Sequence, residues 1–127
     1  MSSVNLVLVT HEGIGSTLLA QARRILADEL EGTVVVEVGY DEDIGSTTLE
    51  ARIDCADSGA GVLVLTDVPG ATPSNLAQVA AAGKHRVVVT GLNLPMLIRA
   101  WNYHQRPLEE LAVIAVDGGR NAIGMVS

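Results

Sequence analysis

Apolar positions along this chain follow two alternating periods. Short runs rich in valine and leucine read as strands, and between them apolar residues recur every three or four positions, as on one helical face. Val4-Asn5-Leu6-Val7-Leu8-Val9 predicts the first strand. Leu18, Ala22, Ile25, Leu26 and Leu30 then share a helical face. Thr33-Val34-Val35-Val36-Glu37-Val38 predicts the second strand. Thr47 and Glu50 have capping-box form and open a helix carrying Leu49, Ile53 and Ala56. Gly61-Val62-Leu63-Val64-Leu65-Thr66 is the third and most apolar strand. Thr72 as N-cap, Pro73 at the first helical position and Gly83 beyond the end frame the next helix. Arg86-Val87-Val88-Val89-Thr90 predicts the fourth strand, and a helix follows from about Pro95 to Asn102. The last helix starts near Pro107, presents Leu108, Leu111, Ala112 and Ala115 on one face, and ends at Gly118-Gly119. The tail Ala122-Ile123-Gly124-Met125-Val126 is a candidate edge strand.

Near-continuous apolar strands separated by amphipathic helices imply a parallel sheet covered on both faces, the α/β class. Right-handed crossovers leave the doubly wound order 2-1-3-4 as the natural topology, a mainly parallel four-stranded sheet. In that order the chain reverses direction between strands 1 and 3. Ligands in such sheets bind at the carboxyl ends of the strands, at that switch point.

Two loops therefore carry the candidate chemistry. The loop after strand 1 reads Thr10-His11-Glu12-Gly13-Ile14-Gly15-Ser16, and the loop after strand 3 reads Asp67-Val68-Pro69-Gly70-Ala71-Thr72-Pro73. With strands 1 and 3 adjacent, ~4.8 Å apart, His11 and Asp67 face each other. An imidazole nitrogen is a competent nucleophile at neutral pH, and a carboxylate on the other ring nitrogen fixes the tautomer and stabilises the imidazolium. Both loops lead into helix amino termini, whose N–H groups and dipoles favour a phosphoryl group. Gly13, Gly70 and Thr72 are the candidate phosphate-supporting residues. Taken singly, a histidine after a strand also reads as an unreactive loop residue, an aspartate there as a turn or cap residue, and the glycines as turn formers.

Composition narrows the partners. The 127 residues predict one domain, 1–127. At 48% hydrophobic and 18% charged, the chain is globular rather than disordered. No Phe, one Trp and two Tyr argue against aromatic platforms for single-stranded nucleic acid or flavin. The net charge of −7 disfavours nucleic acid and favours a basic protein partner. Glu12 and the Asp41-Glu42-Asp43 cluster lie on the expected docking edge. The lone Cys55 excludes an intrachain disulfide and a cysteine-rich metal site, and is expected to pack. No apolar run approaches the ~18 residues of a membrane span. Met1-Ser2-Ser3 has no basic region before the first strand, so the expected compartment is cytoplasmic. No metal and no cofactor is implied. Gly13-x-Gly15 lacks the third glycine of a dinucleotide fingerprint, Leu18 standing in its place. His85 and His104 are expected on the surface, and Trp101 and Tyr103 against the core.

The same residues carry a family resemblance. Val7-Leu8-Val9-Thr10-His11, the segment Gly61 to Asn75 and Gly91-Leu92-Asn93-Leu94-Pro95-Met96-Leu97 resemble, in order, three blocks of the mannose-family IIA domain of the bacterial phosphoenolpyruvate-dependent sugar phosphotransferase system. The resemblance implies that His11 accepts a phosphoryl group from the phosphorylated histidine phosphocarrier protein, Asp67 pairs with it, and Thr72 supplies a nearby hydroxyl. It implies a IIB component as acceptor, a separate protein here because the chain stops at Ser127, and a membrane contact only through a permease complex. It also implies a homodimer in which the tail strand is exchanged. Glu12 departs from the glycine that often follows the family's histidine. Three other readings stay open: a regulatory phosphocarrier without a cognate permease, a dihydroxyacetone kinase phosphotransfer subunit, and a flavodoxin-like ligand-binding module.

Overall fold

The computed structural model describes residues 2–39 and 44–126. Four valine- and leucine-rich runs pair as one parallel sheet: β1 (Asn5–His11), β2 (Val34–Val38), β3 (Val62–Thr66) and β4 (Arg86–Val89), in the expected order β2-β1-β3-β4. Five helices connect and follow them: α1 (Ile14–Leu26), α2 (Ser46–Ala56), α3 (Thr72–Ala81), α4 (Leu94–Asn102) and α5 (Leu108–Asn121). The register pairs Val9 with Thr66 across β1 and β3, and His11 with Val38 across β1 and β2.

Strand side chains alternate between faces, so the sheet has two cores. Leu6, Leu8, Leu63 and Leu65 pack with Leu19 and Ala22 of α1, Met96 and Leu97 of α4, and Leu111 and Ala115 of α5. On the other face Val7, Val9, Val36, Val38, Val62 and Val64 pack with Leu49 and Ile53 of α2 and with Ala77 and Ala80 of α3. Burying both faces is what makes a parallel sheet stable, because neither has to meet water.

Several boundaries differ from the sequence reading. β1 runs two residues further, through Thr10 and His11, because the ladder to β2 continues to Val38. Ile25 is exposed, and Leu30 lies beyond the end of α1, although it is buried. Neither the capping box at Thr47 nor the Thr72 N-cap forms. Gly45 and Ala71 hold the extended backbone at the helix entrances, so Thr47 and Thr72 are already helical and neither helix has a side-chain cap. α4 does have one: Asn93 Oδ1 accepts from Met96 N–H at 2.9 Å.

Gly118 and Gly119 do not end α5; they lie inside it. A Cβ at Gly118 would sit 2.7 Å from Arg99 Cβ, and one at Gly119 would sit 2.9 Å from Met96 Cε. The glycines let α5 lie directly on α4, and Asn93 Nδ2 donates to the Gly119 carbonyl at 3.1 Å across that contact. Cys55 is exposed rather than packed, because it sits one position off the face that carries Leu49, Ile53 and Ala56. His85 is exposed, whereas His104 is half-buried. The His104 ring stacks on Trp101 with centroids 3.9 Å apart. Trp101 and Tyr103 lie half-buried against the core. In the single chain, residues 122–126 form no strand and are exposed.

Candidate functional site

The carboxyl ends of β1 and β3 bring His11 and Asp67 together. Asp67 follows the last residue of β3, and its Oδ2 accepts twice from His11: from the backbone N–H at 3.0 Å and from ring Nδ1 at 2.8 Å. Asp67 Oδ1 accepts from the Val68 N–H at 3.0 Å. An ionised carboxylate only accepts, so His11 Nδ1 carries the proton and the ring lone pair sits on Nε2. The His11 side chain is 24% exposed and that of Asp67 only 6%. Burial by itself pushes the Asp67 carboxyl toward its neutral form. The hydrogen bonds from the His11 backbone, the His11 ring and the Val68 N–H outweigh it, and the group titrates below the ordinary carboxylate value.

Thr10, fully buried, fixes the other side of the loop. Its Oγ1 donates to the His11 carbonyl at 2.8 Å and accepts from Gly15 N–H at 2.9 Å. This ties His11 to the first turn of α1. Gly13 makes the turn between them, at φ +86°, a conformation that costs glycine little.

The two helix amino termini are not equivalent. Glu37 lies opposite Thr10 on β2, on the α1 side of the sheet. Its Oε2 accepts from Ser16 N–H at 3.1 Å and from Ser16 Oγ at 2.8 Å. The α1 amino terminus is therefore occupied by the protein's own carboxylate, which satisfies its dipole and leaves it unavailable to a phosphoryl group, contrary to expectation. Among the described residues α3 carries no such plug: its first turn has no side-chain cap, and Thr72 within it is exposed. His11 shares its sheet face with Val7 and Val9, the α3 side. Gly70 at φ +81° turns the chain from Asp67 into α3, and its carbonyl accepts from Asn75 Nδ2 at 3.1 Å.

Glu37 was missed in the sequence, although a lone carboxylate inside the run Val34-Val35-Val36-Glu37-Val38 was the available signal. Glu12 is exposed beside His11, and so are Ile14 and Val68, so the rim of the site is apolar as well as acidic. The Asp41-Glu42-Asp43 cluster lies outside the described residues. Among the described residues, no group of three or more His, Cys, Asp or Glu side chains could hold a metal ion, and no helix is long and apolar enough to cross a membrane.

Comparison with known proteins shows the family of the chain. A family model described as the PTS system fructose IIA component matches residues 5–115. The mannose/sorbose-specific IIA subunit of the phosphotransferase system from Enterococcus faecalis is 28% identical, with 99% of this chain and 96% of that one covered and a TM-score of 0.82. Phosphotransferase system component EIIA from Streptococcus agalactiae is 22% identical, with 96% of each chain covered and a TM-score of 0.80. The PTS IIA protein associated with the fucose utilization operon from Streptococcus pneumoniae is 23% identical, with 98% of this chain and 96% of that one covered and a TM-score of 0.76. The last two are likenesses of fold. No curated protein matches the chain.

A carboxyl whose folded pKa is depressed stabilises the fold above its unfolded value, and that contribution is lost as pH falls through the folded value. Asp67→Asn is expected to lower stability by about 1–3 kcal/mol at neutral pH. The gap from the wild type should hold down to pH ~5 and narrow as pH falls from the ordinary carboxylate value of 3.8 toward the lower folded value. Urea midpoints at neutral pH, pH 5 and pH 3 check this, and a gap no smaller at pH 3 than at pH 5 contradicts it.

Proposed function

The chain belongs to the family of PTS system fructose IIA components, and from that premise we propose that it carries a phosphoryl group on His11. The donor is the phosphorylated histidine phosphocarrier protein, and the acceptor is a separate IIB component serving sugar uptake. The observation that carries this reading is the 2.8 Å bond between His11 Nδ1 and Asp67 Oδ2. It leaves the Nε2 lone pair as the nucleophile.

In the transfer, His11 Nε2 attacks phosphorus, a new N–P bond forms, and the N–P bond to the donor's histidine breaks. The donor ring, protonated on its other nitrogen, leaves neutral with that electron pair. The proton on His11 Nδ1 stays in its bond to Asp67, whose negative charge offsets the positive charge gained by the ring. The phosphoryl oxygens take up the first-turn N–H groups of α3, with the Thr72 hydroxyl beside them and Gly13 and Gly70 shaping the two loops. Transfer to the IIB component is the same step in reverse, with the acceptor's nucleophile in place of the donor's ring. The acidic excess steers a basic docking face toward the site, and Ile14 and Val68 give that face apolar area to cover. The compartment is the cytoplasm, where the donor is made.

The protein works as a homodimer, its tail paired across two copies. Ile123, Met125 and Val126 support this, at 77%, 102% and 100% exposed in the single chain. Sedimentation velocity is expected to read a dimer for the full chain and a monomer for a chain ending at Asn121. Equal masses per particle in both contradict the tail's role.

Incubation with phosphoenolpyruvate, enzyme I and the phosphocarrier protein is expected to add one phosphoryl mass to the chain and none to His11→Ala. Asp67→Asn should fold and take up the group about 10²-fold more slowly, the lower end of what such orienting groups contribute. A wild-type adduct that persists in His11→Ala rules out His11 as the acceptor.

A further inference from the structure

We propose that Thr66 is a further residue of this site, its buried hydroxyl reserved as a hydrogen-bond donor to the phosphoryl group on His11. The inference rests on the phosphocarrier reading above. Thr66 is the last residue of β3 and is fully buried. Its carbonyl is used, accepting from Leu92 N–H at 2.9 Å. Its hydroxyl is not: Oγ1 has no hydrogen-bond partner among the described residues.

The position of that orphan gives it meaning. Thr66 pairs with Val9, two residues before His11 on the neighbouring strand. Alternation places Thr66, Val9 and His11 on one face of the sheet. It is the face whose valines, Val9 and Val64 among them, pack against α2 and α3. A strand spacing of ~4.8 Å and a rise of ~3.3 Å per residue separate the Thr66 and His11 Cα atoms by about 8 Å. The Glu37 carboxylate and the plugged end of α1 lie on the opposite face. The hydroxyl and the uncapped turn of α3 therefore flank the same side of His11.

A buried hydroxyl without a partner destabilises the resting protein, and valine, of nearly the same shape, would not. Retained violations of this kind concentrate at functional sites. In the resting state the hydroxyl has no partner among the described residues; in the phosphorylated state a phosphoryl oxygen supplies one. The bond is then made only when the group is present, so it favours the phosphorylated form rather than the encounter.

The test compares wild type, Thr66→Val and Thr66→Ser in the phosphoenolpyruvate assay and in urea denaturation. Thr66→Val is expected to keep or raise the denaturation midpoint while accepting phosphate about 10-fold more slowly, the worth of one hydrogen bond to a charged group. The donor's KM should be unchanged. The half-life of its phosphohistidine should shorten by a similar factor, and Thr66→Ser, which keeps the hydroxyl, should restore most of the rate. A Thr66→Val protein that transfers at the wild-type rate overturns the inference. So does a lowered midpoint, which would mean that the hydroxyl already serves a structural partner such as a buried water. A wild type that takes up no phosphate overturns the phosphocarrier reading itself; a phosphorylated wild type beside an unimpaired Thr66→Val overturns only the role of Thr66.

Discussion

One oxygen atom, Asp67 Oδ2, accepts from both the backbone N–H and the ring Nδ1 of His11. The backbone bond holds the end of β1 against the end of β3, and the ring bond fixes which nitrogen carries the proton. Position and tautomer are thus set by the same carboxylate, itself held by the Val68 N–H. Its depressed pKa follows from those donors, which outweigh the burial that opposes its charge. The doubly wound topology is what makes the arrangement available, because only adjacent strands that part in opposite directions leave such a gap at their ends.

The sheet also sorts charge between its faces. Thr10 and His11 are consecutive on a strand, so their side chains point to opposite sides. On the Thr10 side, Glu37 fills the amino terminus of α1 through Ser16. On the His11 side, α3 begins without a side-chain cap. The two helix ends beside the strand termini therefore differ: α1 meets the protein's own carboxylate, and α3 keeps the positive end of its dipole without a side-chain cap. Neither loop carries a Lys or Arg, although the chain has eight among its 127 residues, so the positive potential at these strand ends comes from backbone N–H groups and helix dipole.

The strands, their order and the facing of His11 and Asp67 were legible in the sequence, because near-continuous Val and Leu runs admit few other arrangements. The helix entrances were not. Thr47 and Thr72 have the right chemistry for caps, but Gly45 and Ala71 already hold the extended conformation that a cap requires, and the threonines fall inside the helices. Gly118-Gly119 reads as a stop signal, yet the close approach of Arg99 and Met96 needs glycine within α5, a tertiary demand that no local pattern reveals. Glu37 and Thr66 were visible as polar residues in apolar strands. Their meaning depends on what crosses the sheet from elsewhere in the chain.

The account turns on the tautomer that Asp67 imposes. The direct measurement is nitrogen-15 NMR of the phosphorylated protein with labelled histidine, reading which His11 ring nitrogen couples to phosphorus. Coupling at Nε2, with Nδ1 still bearing its proton, is the predicted result. Coupling at Nδ1 would mean that the Asp67 bond breaks before transfer, and would contradict the account.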